Sequence, residues 1–145
     1  MKFEVKPANK DVLKQKAFSI RKEVFVIEQK VAEEEEFDEY EEAAHHFVAL
    51  DEEGLPLGAS RWRVTDKGVK LERFAVRQDA RGKGVGSVLL KTTLEDIDVH
   101  LPKGTYLYLH SQLGAVSLYE KFGFTKKGAQ FDECGIQHYM MWKTS

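Results

Sequence analysis

Residues 72–87 read ERFAVRQDARGKGVGS, and the apolar helical run VLLKTTLEDIDVH follows from Val88. Glycine stands at 82, 84 and 86, where a helix should begin. Each glycine costs helix stability relative to alanine, so spacing this regular implies that the backbone approaches something closely. A strand candidate, a glycine-rich turn and a helix start make an anion site together. The first N–H groups of a helix lack internal partners, and the helix dipole favours negative charge there. Arg81 and Lys83 add positive charge, and Arg81 suits paired hydrogen bonds to a phosphate.

Working outward from this loop, the pattern predicts an alternation of strands and helices. FEVK near the start is a strand candidate ended by Pro7. Asn9 is then a plausible helix N-cap, with an apolar stripe at Leu13, Ala17, Ile20, Val24 and Ile27 that Phe18 and Phe25 widen. The acidic run EEEEFDEYEE follows at 33–42. HHFVALD, LGASRWRVT and VKLERFAV read as three strands joined by tight turns, an antiparallel meander. The glycine loop leads into a helix over Val85–His100, closed by LPKG. TYLYLHS is a further strand, and Ala115, Leu118, Tyr119 and Phe122 share one face of a short helix stopped at Gly123. FTKKGAQFD and IQHYMMWK form a closing strand pair. The order is β-α-(α)-β-β-β-α-β-α-β-β, a mixed α/β (α+β) chain expected to fold as a single domain over 1–145.

Bulk properties narrow the function. The chain has 145 residues and a net charge of −2, which argues against a general nucleic-acid binder. No apolar run approaches the roughly 20 residues needed to cross a bilayer, and MKFEVKPANK lacks a signal-peptide core. The one cysteine, Cys134, excludes an internal disulfide framework. The expectation is a soluble, cytoplasmic protein with neither nucleic acid nor membrane as partner.

Two familiar phosphate loops fail on spacing. A Walker loop needs lysine between its last glycine and Ser/Thr, whereas Gly86 is followed directly by Ser87. Counting a dinucleotide fingerprint from Gly82 puts Ser87 at the third glycine position. Arg-x-x-Gly-x-Gly does fit, filled by Arg81, Gly84 and Gly86 after ERFAV. That arrangement resembles the pyrophosphate-binding segment of the GCN5-related N-acetyltransferase (GNAT) superfamily. AVSLYEKFGF at 115–124 resembles the second signature of the same family, and the element order matches along nearly the whole chain. IRKEVFVIEQKV, the acidic run, HHFVAL and GIQHYMMWK are similar to its small bacterial ElaA-like and YjcF-like branch.

The resemblance implies a mixed central sheet of about six to seven strands with a splayed middle pair, and about four helices. It implies acetyl-CoA as cosubstrate, no metal, a small-molecule primary amine as acceptor, and direct transfer in a ternary complex. A homodimer is compatible with it. Backbone groups of Phe74, Ala75 and Val76 would pair with the pantetheine arm as an added strand. Arg81, Gly82, Lys83, Gly84, Val85, Gly86 and Ser87 would hold the pyrophosphate. Gln112 stands where many members carry asparagine and is the candidate for a contact to the coenzyme arm.

Tyr119 matches the tyrosine of the second signature, implying a general acid for the departing thiolate; its other reading is a core residue of an apolar helix face. Glu72 is the candidate base, acting directly or through water, and alternation puts it on one face with Phe74 and Val76 provided no bulge intervenes. Its other reading is an ordinary exposed charge. His110 and His138 are alternative pocket residues. His45 and His46 are adjacent and point to opposite faces of a strand, and neither pairs with a nearby histidine at metal-ligand spacing. Cys134, in the turn DECGI, reads as an unreactive thiol rather than an acyl carrier. The eight carboxylates of 33–42 read as a solvated segment or a rim that draws cationic amines. The rival to an enzyme is an acyl-CoA-binding sensor that keeps the site without turnover.

Overall fold

The computed structural model describes residues 2–145. The chain runs β1 (Phe3–Pro7), α1 (Asp11–Arg21) and, continuing α1, a π-helical segment (Lys22–Glu28). Then come α2 (Glu33–Glu36), β2 (His45–Asp51), β3 (Pro56–Val64), β4 (Val69–Val76) and α3 (Val85–His100). β5 (Tyr106–Gln112), α4 (Val116–Lys121), β6 (Thr125–Glu133) and β7 (Ile136–Thr144) complete it. The strands form one seven-stranded sheet in the order β1-β2-β3-β4-β5-β7-β6. Every neighbouring pair is antiparallel except β4 and β5. A parallel pair needs a long crossover, and α3 supplies it. The predicted element order and the mixed sheet of the GNAT fold are both present.

The helices divide between the two faces of the sheet. Val85, Leu89, Leu90 and Ile97 of α3 bury themselves with Trp62, Leu71, Leu107, Leu109 and Met141, and Tyr119 of α4 joins that cluster. Ala17, Ile20 and Val24 pack on the other face with Val48, Leu50, Ala59 and Ala75. Residues alternating along β3 serve both: Ala59 meets the α1 cluster, while the Ser60 hydroxyl meets Thr93 of α3 at 2.9 Å.

Two local expectations are corrected. Asn9 does not cap α1: Lys10 occupies the N-cap with no side-chain hydrogen bond, and Asn9 Oδ1 accepts from the His46 backbone N–H at 2.6 Å, tying β2 to the helix entry. The apolar stripe also does not reach Ile27, which is 64% exposed. The seven residues Lys22–Glu28 wind as π-helix. A wider turn rotates later side chains out of the α-helical phase, so Phe25 packs on the core in place of Ile27.

Candidate active site

Pairing between β4 and β5 covers only Val69–Leu71 with Leu107–Leu109. Beyond those three residue pairs the strands part, and a cleft of about 500 Å³ opens between them. The parting has a local cause. Ala59 pairs with Ala75 but Arg61 pairs with Glu72, so β4 carries one extra residue. Arg73 absorbs it with φ +61°, a left-handed conformation that costs an ordinary residue about 1–2 kcal/mol. Its guanidinium is held in return by the carbonyls of Glu35 and Glu36 and by Asp38 Oδ2, at 3.1–3.3 Å.

This bulge reverses the alternation. Phe74 and Val76 pack with the α3 cluster, whereas Glu72 pairs with Arg61 beneath α1. The expected shared face of Glu72, Phe74 and Val76 is therefore not formed. Ala75 and Val76 still pair with Ala59 and Gly58 along one edge of β4, leaving the opposite edge facing the cleft. Phe74, Ala75, Val76, Arg81, Gln112, Tyr119 and Glu72 all line this cleft.

At one end of the cleft lies the glycine loop. Gly84 is the N-cap of α3 with φ 88° and ψ 2°, and no side chain caps the helix. The first helical bond runs from Val88 N–H to the Gly84 carbonyl at 3.1 Å, so the amides of Val85, Gly86 and Ser87 precede the ladder. No acidic residue occupies that first turn. A Cβ on Gly82 or Gly84 would meet nothing within 4 Å, so the loop is open. Val85 differs from its neighbours: its side chain is buried in the core, and only its backbone is available to the loop. Free amides, an open approach, exposed Lys83 and the free edge of β4 together fit a diphosphate with an extended arm.

Two contacts bridge this end of the cleft. Arg81 donates to both carboxylate oxygens of Glu28 at 2.7 and 2.8 Å and through Nε to the Val76 carbonyl at 2.9 Å. Gln112 exchanges amide hydrogen bonds with Gln29 at 2.9 and 3.2 Å. Both partners, Glu28 and Gln29, come from the end of the π-helical segment.

Tyr119 is 6% exposed, with Phe74 and Phe124 edge-on at 5.9 and 6.1 Å. Its hydroxyl makes no hydrogen bond to the described residues, and burial pushes the phenol well above its ordinary pKa. The proton stays on the oxygen at neutral pH. The ring is packed in the core, and the residue also borders the cavity.

Glu72 is no exposed charge. Its Oε2 accepts from Arg61 and Arg63, each with an Nε at 2.8 Å, and Lys70 lies 3.3 Å from Oε1. Burial alone would raise its pKa, but Arg61, Lys70, Arg73 and Arg63 outweigh it and hold the carboxyl at about 2. A carboxylate held this acidic is a poor direct proton acceptor. His110 is differently placed: its Nδ1 lies 2.8 Å from Glu133 Oε2. A carboxylate there fixes the ring proton on Nδ1 and leaves Nε2 with its lone pair. His138, 7% exposed, directs Nδ1 to the Ile136 carbonyl at 2.8 Å. The Cys134 thiol donates to Glu35, which with burial pushes it up to about 11, matching the unreactive reading.

The acidic run is neither a wholly solvated segment nor simply a rim. Glu36, Asp38 and Glu41 turn inward onto arginines. Arg21, 1% exposed, binds Glu36 at 2.8 Å and both oxygens of Glu41 at 2.7 and 2.8 Å. Arg61, 0% exposed, binds both oxygens of Asp38 at 2.7 and 3.0 Å and Glu41 at 2.8 Å, besides Glu72. Sequence reasoning missed this network and the partners Glu28, Gln29 and Glu133. The network does have a signal: Arg21 falls at an apolar-stripe position, four after Ala17, and Arg61 interrupts a strand's buried phase.

A family model described as an acetyltransferase (GNAT) domain matches residues 9–145. The Bacillus subtilis (strain 168) protein called uncharacterized N-acetyltransferase YjcF is 40% identical over 136 residues, covering 93% of this chain and 94% of that one. An acyl-CoA N-acyltransferase from Pseudomonas aeruginosa superposes with a TM-score of 0.82 at 26% identity, over 98% of both chains. Escherichia coli ElaA does so with a TM-score of 0.84 at 23% identity, over 99% of both, a likeness of fold.

Proposed function

Because the chain belongs to the GNAT family of acetyltransferases, we propose that it moves an acetyl group from acetyl-CoA directly to a primary amine of a small molecule, both bound in the cleft between β4 and β5. The N-acetyltransferase class follows from the family; the donor, acceptor and ternary complex are our reading. One observation carries it. The cleft is lined by a protonated, buried phenol, by an oriented imidazole, and by Val76 and Arg81, which lie beside the start of α3 and its free amides.

In this reading the amides at 84–87, with Arg81 and Lys83, hold the diphosphate, and the free edge of β4 at Phe74–Val76 aligns the arm. The coenzyme supplies an acyl carbon activated as a thioester. An alkyl ammonium has a pKa of about 10.4 and gives its first proton to solvent before it reacts as the neutral amine. His110 Nε2 takes the proton that the amine gives up as its nitrogen bonds the acyl carbon. Tyr119 gives its hydroxyl proton to the sulfur as the carbon–sulfur bond breaks. Return of a proton from His110 to Tyr119 through solvent resets both groups. Glu133 holds the imidazole in the accepting tautomer. Glu72, with a pKa near 2, serves as counter-charge to Arg61, Arg63 and Lys70 rather than as the acceptor.

Thiol release in the presence of an amine library tests the proposal. Tyr119→Phe should lower kcat about 100-fold or more while calorimetric affinity for acetyl-CoA stays within about twofold. His110→Gln should lower kcat similarly while calorimetric affinity for acetyl-CoA stays within about twofold. Coenzyme binding without turnover on any amine would establish the sensor instead, and absence of coenzyme binding would end both readings.

A further inference from the structure

We propose that His45, Asp96 and His100 form a binding site for one divalent transition-metal ion of the zinc type. The three offer one ligand atom each, all within 4.8 Å of one another. Their separation in sequence hid them: His45 opens β2, while Asp96 and His100 lie one turn apart at the C-terminal end of α3. Pairing of His45 with Trp62 in β3, and packing of α3 against β3, bring them together.

The side chains are held as a ligand set needs. The His45 ring stacks flat on Trp62, centroids 4.1 Å apart and planes 4° apart, and the His100 ring is 4.7 Å from it. The Trp62 indole N–H donates to Asp96 Oδ2 at 2.9 Å, so a ligating carboxylate would already have an outer partner. His100 Nδ1 lies 2.9 Å from the Asp96 carbonyl, which can only accept; the proton therefore sits on Nδ1, and Nε2 keeps its lone pair. His45 Nδ1 stands 3.9 Å from Asp96 Oδ2. Two ligands each about 2.0–2.1 Å from a tetrahedral ion lie about 3.4 Å apart, so ligand atoms within 4.8 Å of one another must draw together by up to about 1.4 Å to close the set.

Two imidazoles and one carboxylate suit zinc and its neighbours in the transition series rather than magnesium or calcium, with water completing the coordination. The site lies at the opposite end of α3 from the glycine loop, about 22 Å along a helix of this length. An ion there ties α3 to β2 without touching the cleft, so its effect is on stability and not on transfer.

The test uses the untagged full chain, stripped with chelator and titrated with Zn2+, then with Co2+ as a spectroscopic reporter. One ion should bind per chain with micromolar or tighter affinity and raise the melting temperature by several degrees. Histidine NMR signals of His45 and His100 should shift while those of His110 and His138 stay. His100→Gln, an exposed position on the last helical turn, should weaken binding at least tenfold, and His138→Gln should leave it unchanged. No binding at 100 μM Zn2+, or binding that survives His100→Gln, overturns the site.

Discussion

Against α3 and α4 the sheet presents Leu71, Leu107, Leu109 and Met141, each 2% exposed or less, with Trp62 among them. Against α1 and α2 it presents a smaller apolar patch, and then Arg61, Arg73 and Glu72 interlocked with Arg21, Glu36, Asp38 and Glu41. Apolar packing is non-directional and grows with area, so the first face tolerates modest changes in shape. Ion pairs in a buried network require particular partners and geometry, and they fix where the chain bends. The bulge at Arg73, and with it the parting of β4 from β5, sits on the charged face. One face stabilises the sheet; the other decides where it opens.

The largest expected effect tests that division. Arg61→Met should destabilise the fold by about 3–5 kcal/mol, because buried Glu72 and half-buried Asp38 and Glu41 lose their shared cation. Urea denaturation measures it, and a loss below about 1 kcal/mol would put the network outside the fold's stability. The pH dependence follows by sign. Asp38 and Glu72 have carboxyls held at about 2 in the folded chain against 3.8 and 4.5 free. In both, burial opposes the shift and the arginines outweigh it. Depressed carboxylates stabilise the fold above their free pKa values, and that contribution disappears as pH falls from about 4.5 toward 2. Glu41 acts in the same sense, while Glu36, pushed up by burial, acts in the opposite one. Acid denaturation of Arg61→Met should be correspondingly shallow.

A smaller effect separates two glycines of the loop. Gly84→Ala forces a left-handed residue and should cost about 1–2 kcal/mol in thermal or urea denaturation. Gly86 sits inside the helix, where an added Cβ would meet Leu118 at 3.5 Å and Val76 at 3.8 Å, ordinary contact distances. Gly86→Ala should be neutral or stabilising by up to about 1 kcal/mol. Equal losses for the two would mean that the loop's geometry, and not one residue's backbone angle, sets the requirement.

Smallest is the tie across the cleft mouth. Glu28→Gln releases Arg81 from a half-exposed ion pair, a contact worth about 0.2–1 kcal/mol. Acetyl-CoA affinity by calorimetry should rise up to about fivefold, more at low salt. A fall would show that Glu28 positions Arg81 for the phosphates instead of competing with them.

Element order, the meander, the α3 crossover and the location of the glycine loop were legible because each is written in local periodicity and turn residues. Phe74, Ala75, Val76, Arg81, Gln112 and Tyr119 could be gathered on one cleft from their motifs alone. The bulge could not: nothing in VKLERFAV marks Arg73 for a positive φ, and the contacts that hold it come from residues 35–38. Ile27 was misplaced because the change from α to π winding leaves no mark on an apolar stripe. Glu72 read as an ordinary charge or a base because Arg61 and Arg63 join it only through strand pairing, although Lys70 lies two residues away on the same strand. Electrostatic environment is a long-range property, and a single sequence lists charges without saying which of them meet.

The seam between β4 and β5 is three residue pairs long, and past it the backbone ladder is interrupted. An extended guest lying along the free edge of β4 would supply rungs that the chain itself omits. In that sense the sheet is finished only in company: a reactant there is also a temporary structural member, and its departure reopens a gap in the molecule's own hydrogen-bonded frame.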